Sequence, residues 1–327
     1  MELVTEPDVK AARQAADFAR ELKIILKYLD VSGADMEKGQ MRLEANISIS
    51  KNSDLGTKVE VKNINSFKAL EEAINYEIKR QSSVLDSGKK VIQETRGWDD
   101  IKNETFSQRS KEEAQDYRYF PEPDLPPFNK SAFDLGKIKG EIKELPNNKR
   151  NRFKKEYGFD DKQVEILVQD PAMANYYEEA ASELGDKKIY LLLFNYLTSD
   201  LKGLINKEGV DLETSGITPT YLAHLVELAG SEKITSRIAK DLLLEMFKTK
   251  LDPHQIMENH EWQQVTDESH LLEVVNWVIA QNPKPVADYK QGKKQAIQFL
   301  VGQAMAQLKG KASPSKLKEV FEEKLKR

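Results

Sequence analysis

The sequence predicts an α+β fold whose strands are confined to its first third and whose remainder is all-α. Two observations carry this. Residues 40–62 alternate between apolar and polar side chains with a period of two, and almost everything after residue 136 repeats its apolar residues at helical spacing. A third observation is negative: there is no tandem repeat or low-complexity tract to suggest a solenoid or a disordered tail.

The elements follow in order. Pro7 suits a first helical turn, with Glu6 and Asp8 at the positive end of the dipole. Val9, Ala12, Ala16, Ala19, Leu22, Leu26 and Leu29 then recur at helical spacing, and Gly33 marks the exit. In residues 40–50, Met41, Leu43, Ala45, Ile47 and Ile49 alternate with Arg42, Glu44, Asn46, Ser48 and Ser50. Residues 52–57 read as a turn, and residues 58–62 alternate again through Val59 and Val61. This predicts a hairpin within a larger antiparallel sheet. A helix follows, capped by Asn65 or Ser66, with Phe67, Leu70, Ile74 and Ile78 as its buried stripe. Residues 91–96 and 104–109 are short strand candidates. Residues 116–127 (DYRYFPEPDLPP) hold four prolines in twelve positions and must be extended and irregular. Helices are expected over 161–168, 172–184, 187–202, 218–229, 236–247, 269–280, 290–308 and 314–325.

Composition narrows the class. Charged residues make up 32% and apolar ones 39% of 327 residues, which suits a globular chain of two or three domains. The absence of cysteine excludes disulfides, thiolate metal sites and a cysteine nucleophile, and fits a reducing, cytoplasmic setting. No apolar run is long enough to span a bilayer and no signal peptide is visible, so no membrane partner is expected. The net charge of −4 argues against non-specific nucleic-acid binding, yet it is uneven. Residues 284–327 carry eleven Lys and Arg against four Asp and Glu. Such a basic tail on an acidic body suits either a phosphate-backbone contact or a solvated helical surface.

Chemistry could sit on the hairpin. Its polar face offers Arg42, Glu44 and Asn46 on one strand and Lys58, Glu60 and Lys62 on the other. Two carboxylates beside several cations on a rigid sheet suit Mg²⁺ and phosphate oxygens. The same pattern suits a solvent-facing sheet with cross-strand ion pairs. The segment Lys62, Asn63, Ile64, Asn65, Ser66 leads into a helix start, a natural anion site and equally an ordinary cap. No glycine-rich phosphate loop is present. The four histidines, His224, His254, His260 and His270, show no zinc-motif spacing and read as structural or surface residues. Tyr117, Tyr119 and Phe120 read as sheet packing rather than a base-stacking platform.

Five blocks carry a resemblance: MELVTEPD (1–8), MEKGQMRLEANIS (36–48), KVEVKNINSFKALEEAINYEIKRQ (58–81), QETRGWDD (93–100) and DYRYFPEPDLPP (116–127). With residues 284–325 as a sixth, they resemble in order the signature blocks of the GatB family, the B-type subunits of tRNA-dependent amidotransferases. The resemblance covers essentially the whole chain. It implies a partial antiparallel-sheet catalytic cradle over 1–130, a helical domain over 131–258 and a small YqeY-like all-α tail over 259–327. It implies ATP and Mg²⁺ as cofactors, and ATP-dependent phosphorylation of the side-chain carboxylate of mischarged Glu-tRNA(Gln) or Asp-tRNA(Asn). Ammonia made from glutamine by an A-type amidase subunit would then attack, with a small C-type subunit completing the heterotrimer.

Carried onto this sequence, the resemblance implies Glu44 as a Mg²⁺ ligand and Arg42 as a phosphate or carboxylate clamp, with Glu37 in the same block. Glu60 would be a further metal ligand, Lys62 a catalytic cation, and Asn46, Asn63, Asn65 and Ser66 nucleotide-binding residues. Lys284, Lys290, Lys293, Lys294, Lys309 and Lys311 would contact tRNA. The family usually has Asp where this chain has Glu44, so the charge there is displaced by one methylene. Members also carry a further amino-terminal segment with a Glu and a His that look like metal ligands, whereas here no histidine precedes His224. The alternative expectation is therefore a truncated, non-catalytic tRNA-binding or scaffolding fragment of such a protein. The archaeal E-type relative, which shares the cradle, is set aside because there is no room for its synthetase-like insert.

Overall fold

The computed structural model describes residues 1–52, 54–110, 120–127, 129–260, 268–308 and 312–325. Tyr117, Tyr119, Lys309 and Lys311 lie outside the described residues. The chain divides into two compact units, Met1–Lys149 and Arg150–Arg327.

In the first unit, helix α1 (Ala12–Tyr28) starts later than Pro7 implies. Pro7 and Asp8 form a turn, and the side chain of Gln14 accepts the Lys10 N–H at 2.9 Å ahead of the helix. The helix ends at Asp30, which takes a left-handed conformation (φ 59°), before Gly33 is reached. Ala12, Ala16 and Ala19 form a buried face small enough to pack closely along the second helix.

Strands β1 (Leu43–Ile47) and β2 (Val59–Ile64) form the expected antiparallel hairpin. Ala45, Ile47, Val59 and Val61 are buried, and Glu44 and Asn46 are exposed, as the alternation requires. Helix α2 (Phe67–Asp86) follows, with Ser66 as its N-cap. It carries the chain to β3 (Glu94–Asp99), and β4 (Glu104–Ser110) returns from there. The sheet order is β1-β2-β3-β4.

The pairing of β2 with β3 is parallel, so the sheet is mixed rather than antiparallel throughout. The reason is the helix between them: a crossover of this length delivers the next strand in the same direction, whereas a tight turn would reverse it. Helix α2 lies against β1, β2 and β4, and the core beneath it gathers Ala45, Ile47, Val61, Ile64, Leu70, Ile74 and Trp98. Trp98 is 1% exposed, donates from Nε1 to Asp100 at 2.7 Å and meets Tyr76 edge-on. Helix α3 (Leu135–Glu141) buries none of its residues, and Phe120 is exposed.

After α4 (Pro146–Tyr157), the second unit is helical: α5 (Asp161–Val168), α6 (Pro171–Ser182), α7 (Tyr190–Asn195), α8 (Lys202–Glu208), α9 (Pro219–Gly230), α10 (Ser236–Thr249), α11 (Pro253–His260), α12 (Glu268–Gln281), α13 (Pro283–Lys290), α14 (Ala296–Gln307) and α15 (Pro314–Leu325). Starts are marked in the sequence. Asp160 with Gln163 makes a full capping box for α5, Asp170 and Pro171 open α6, and Thr218 and Pro219 open α9. A π-helical turn, Tyr196–Leu201, joins α7 to α8.

Phe153, Tyr157, Phe159, Tyr177, Tyr190 and Phe194 form a continuous aromatic cluster with ring centroids 5.0–6.2 Å apart. The helix expected over 290–308 is broken: Gly292 adopts φ 95° between α13 and α14, a conformation closed to other residues at low cost. Helices α12, α14 and α15 share a core of their own, built on Leu271, Val275, Val278, Leu300, Leu317 and Phe321. Among the described residues, no helix is long and apolar enough to cross a membrane.

Candidate functional site

The polar face of the hairpin brings three of the expected residues together. Lys62 Nζ stands 3.2 Å from Glu44 Oε1 and 3.8 Å from Glu60 Oε1, so one ammonium is bracketed by two carboxylates from adjacent strands. Glu60 is further held by Thr95 on β3, whose hydroxyl donates to Oε2 at 2.8 Å. Asn46 is directly opposite Glu60 in the register and is exposed. Glu44 and Lys62 have about half their side-chain surface in solvent, 47% and 43%. An ion pair so exposed adds on the order of 0–1 kcal/mol to stability. The arrangement is therefore poorly explained as a device for holding the sheet together.

A β-bulge sets the position of Lys62. Leu43 pairs with Ile64 and Ala45 with Val61, so β2 spends one residue more than β1 over this step. Asn63 absorbs it in a left-handed conformation (φ 61°), and its Nδ2 donates to the Trp98 carbonyl at 3.0 Å. Asn tolerates that conformation better than most residues. On β3, Lys62 pairs with Gly97. A Cβ on Gly97 would come within 2.5 Å of Gln108 Nε2 and 2.7 Å of Phe106 Cζ, so those side chains lie over a position that only glycine leaves clear.

The other expected residues are less closely tied. Arg42 is exposed just before β1 and makes no ion pair among the described residues. Glu37 lies in the turn before it, exposed, with its backbone N–H donated to Asp35. Asn65 is exposed at the entry to α2. The Ser66 hydroxyl accepts the Ala69 N–H at 3.0 Å and is thus engaged as a helix cap. In the tail, Lys284 and Lys290 are exposed on α13, and Lys293 and Lys294 in the turn that follows. Lys293 is paired with Asp288 at 2.8 Å. This contact holds the Asp288 carboxyl below its ordinary range.

A buried ionic network supports the sheet, and sequence reasoning missed it. Glu77 on α2 is fully buried. Its carboxylate accepts from Arg80 at 2.9 and 2.8 Å, from Gln81 at 3.0 Å and from Thr105 at 2.5 Å, and lies 3.2 Å from Arg96 Nε. Arg96 also donates to Glu94 at 2.6 Å and to the Thr105 carbonyl at 2.7 Å. Burial pushes the Glu77 carboxyl upward, but the hydrogen bonds from Arg80, Thr105 and Gln81 and the Arg80 charge outweigh it and hold it below the usual range. The signal was present: Leu70, Ile74, Glu77 and Gln81 continue one helical stripe.

Two carboxylates with water access suit a hard dication such as Mg²⁺, which takes one or two carboxylates and fills its remaining positions with water and phosphate oxygens. The set has no imidazole or thiolate and does not suit a zinc-type ion.

Comparison with known proteins bears on the same residues. A family described as the GatB/GatE catalytic domain matches residues 1–133, and one described as the GatB domain matches residues 175–325. The GatB subunit of the aspartyl/glutamyl-tRNA(Asn/Gln) amidotransferase from Caldicellulosiruptor bescii is 41% identical over 330 residues, covering 99% of this chain and 68% of the relative. The chain belongs to the GatB family. Relatives of the same name in Rickettsia conorii and Clostridium kluyveri are each 41% identical over 99% of this chain, which spans 67% and 68% of their respective lengths. The catalytic-domain match of the GatB family contains Glu37, Arg42, Glu44, Glu60 and Lys62, and its second match contains the lysines of α13.

Proposed function

We propose that this chain activates a tRNA-linked carboxylate for amide formation, within a glutamine-hydrolysing carbon–nitrogen ligase of protein biosynthesis. The substrate is Glu-tRNA(Gln), Asp-tRNA(Asn) or both. The observation that carries this reading is the bracketed cation: Lys62 between Glu44 and Glu60 on an open, polar sheet face.

The reaction has two displacements. A side-chain carboxylate oxygen of the aminoacyl-tRNA attacks the γ-phosphorus of ATP and releases ADP, giving an acyl phosphate. Ammonia then attacks the acyl carbon, and inorganic phosphate leaves as the amide forms. Mg²⁺, when bound, neutralises charge on the phosphate oxygens and aligns them. Glu44 and Glu60 are the residues that would hold it, Glu60 already oriented by Thr95. Lys62, displaced from between the carboxylates, is within reach of a phosphate oxygen, and Arg42 at the edge of the face offers a planar fork for phosphate or carboxylate. Glu37, Asn46, Asn63, Asn65 and Ser66 shape the approach to that face, Asn63 and Ser66 mainly by holding backbone. The ammonia comes from an A-type amidase subunit, with a small C-type subunit completing the assembly in the cytoplasm. The lysines of the tail, Lys309 and Lys311 among them, supply tRNA contacts.

The test uses the assembled complex. Glu44→Ala is expected to abolish amide formation while tRNA affinity stays within about twofold, because the lost group acts on charge developing in the reaction rather than on uniform binding. Equal loss of amide formation and tRNA binding would overturn the assignment of Glu44.

A further inference from the structure

A second constellation lies in the second unit and uses none of the residues assigned above. His224 is on α9, and Asp252 and His254 stand at the start of α11, 28 and 30 residues further along the chain. Sequence spacing gives no reason to group them. The fold does: each offers a ligand atom, and these atoms all lie within 4.8 Å of one another. His224 Nδ1 is 2.6 Å from Asp252 Oδ2, and the rings of His224 and His254 are 5.1 Å apart at 60°.

We propose that His224, Asp252 and His254 form a binding site for a divalent transition-metal ion of the zinc type, which ties α11 to α9. Two imidazoles and one carboxylate are a donor set such ions favour, in contrast to the all-oxygen set on the sheet. The supports are in place. Asp252 Oδ1 accepts the His254 N–H at 2.8 Å, which fixes the carboxylate and leaves Oδ2 facing His224. Pro253 opens α11, so the backbone between the two ligands is stiff. Ile256, Met257, Leu225, Val226, Leu242 and Met246 bury the facing sides of α9, α10 and α11 and hold the ligand-bearing helices rigid.

His224 and Asp252 are partly buried, and His254 is exposed. The ion therefore has protein on one side and water on the other, with a water completing its shell. Binding displaces the proton shared between His224 and Asp252, and the exposed His254 ring turns inward to close the site. A cross-link of this kind joins two elements separated in sequence by α10, at a corner that apolar packing otherwise holds.

The experiment uses the full chain stripped of metal, with Zn²⁺ alone and no nucleotide. Titration calorimetry is expected to find a site filled at one Zn²⁺ per chain, and Co²⁺ in its place is expected to give the visible absorption of a low-coordinate nitrogen and oxygen site. His254→Ala changes an exposed side chain and is expected to fold as the parent does, yet bind Zn²⁺ roughly tenfold or more weakly. Asp252→Asn keeps an acceptor for the His254 N–H but loses the charge, and is expected to weaken binding similarly. Glu44→Gln should leave it unchanged. No stoichiometric Zn²⁺, or undiminished binding in His254→Ala and Asp252→Asn, would overturn the proposal and leave an ordinary helix cap with a His–Asp contact.

Discussion

Asn63 donates from Nδ2 to the Trp98 carbonyl at 3.0 Å while its own backbone sits in the left-handed region. The bond ties the bulge of β2 to β3 next to the residue that stands between the two carboxylates. One side chain thus does two jobs: it accommodates the conformation, and it clamps two strands where the ladder is irregular.

These jobs separate by substitution. Asn63→Gly keeps the conformation and loses the bond, and should cost about 1 kcal/mol, the usual net worth of one hydrogen bond. Asn63→Ala loses both and should cost about 2–3 kcal/mol, since a Cβ in the left-handed region adds roughly 1–2. Chemical denaturation read through tryptophan fluorescence measures the difference. Equal costs would mean that the conformation at position 63 relaxes freely.

Glu77→Ala should be far more damaging. It leaves Arg80 and Arg96 with their cationic groups partly buried and short of a partner, a loss on the order of 3–5 kcal/mol. The depressed carboxyl of Glu77 sets a pH dependence too. A group protonated less readily when folded contributes its stability above the ordinary carboxylate range, and loses it as pH falls through the lower, folded value. Acid should therefore loosen β3 and β4, visible as faster amide exchange there, and Glu77→Gln should flatten that acid dependence. An unchanged acid profile in Glu77→Gln would remove Glu77 as its source.

The second unit should respond to alkali instead. Burial raises the Tyr157 and Tyr196 hydroxyls to about 12, and pushes those of Tyr176 and Tyr177 higher still. Their stabilising effect is whole below the ordinary tyrosine value of about 10 and is lost as pH rises through the folded values. A phenolate titration should show these tyrosines ionising only with, or after, the onset of unfolding. Early, reversible ionisation of all tyrosines would contradict the packed aromatic cluster.

In the tail, the proposed tRNA contacts are graded. Lys290→Ala should weaken tRNA binding and lower the slope of log affinity against log salt by about one, as for the loss of one phosphate contact. Lys293→Ala should do less, because Asp288 already competes for its ammonium. Filter binding over a salt series decides. Slopes that match the parent in both variants would remove this surface from the tRNA interface.

The hairpin is legible in the sequence because alternation reports directly which face of a strand is buried, and it places Glu44, Glu60 and Lys62 on one polar face. The parallel join of β2 to β3 is not, since strand direction depends on where α2 delivers the chain, which no local period encodes. Glu77 stays hidden for a different reason. A charge on an apolar stripe looks like the edge of the solvated face until its partners, Arg96 and Thr105, arrive from strands that are distant in sequence. The grouping of His224 with Asp252 and His254 is likewise a product of how α9, α10 and α11 pack. The break at Gly292 is masked because the apolar residues on either side keep helical spacing across it.

The bulge at Asn63 also makes chain length matter here. Val61 and Ile64 both face the core although three residues separate their positions, which an unbroken strand cannot achieve. The odd residue resets the inside–outside phase just before the chain enters α2, so that Ile64, Leu70 and Ile74 share one interior. Substitutions along residues 58–66 leave that phase intact, while removal or insertion of a single residue inverts everything downstream of it. This short stretch should accordingly vary in identity far more freely than in length.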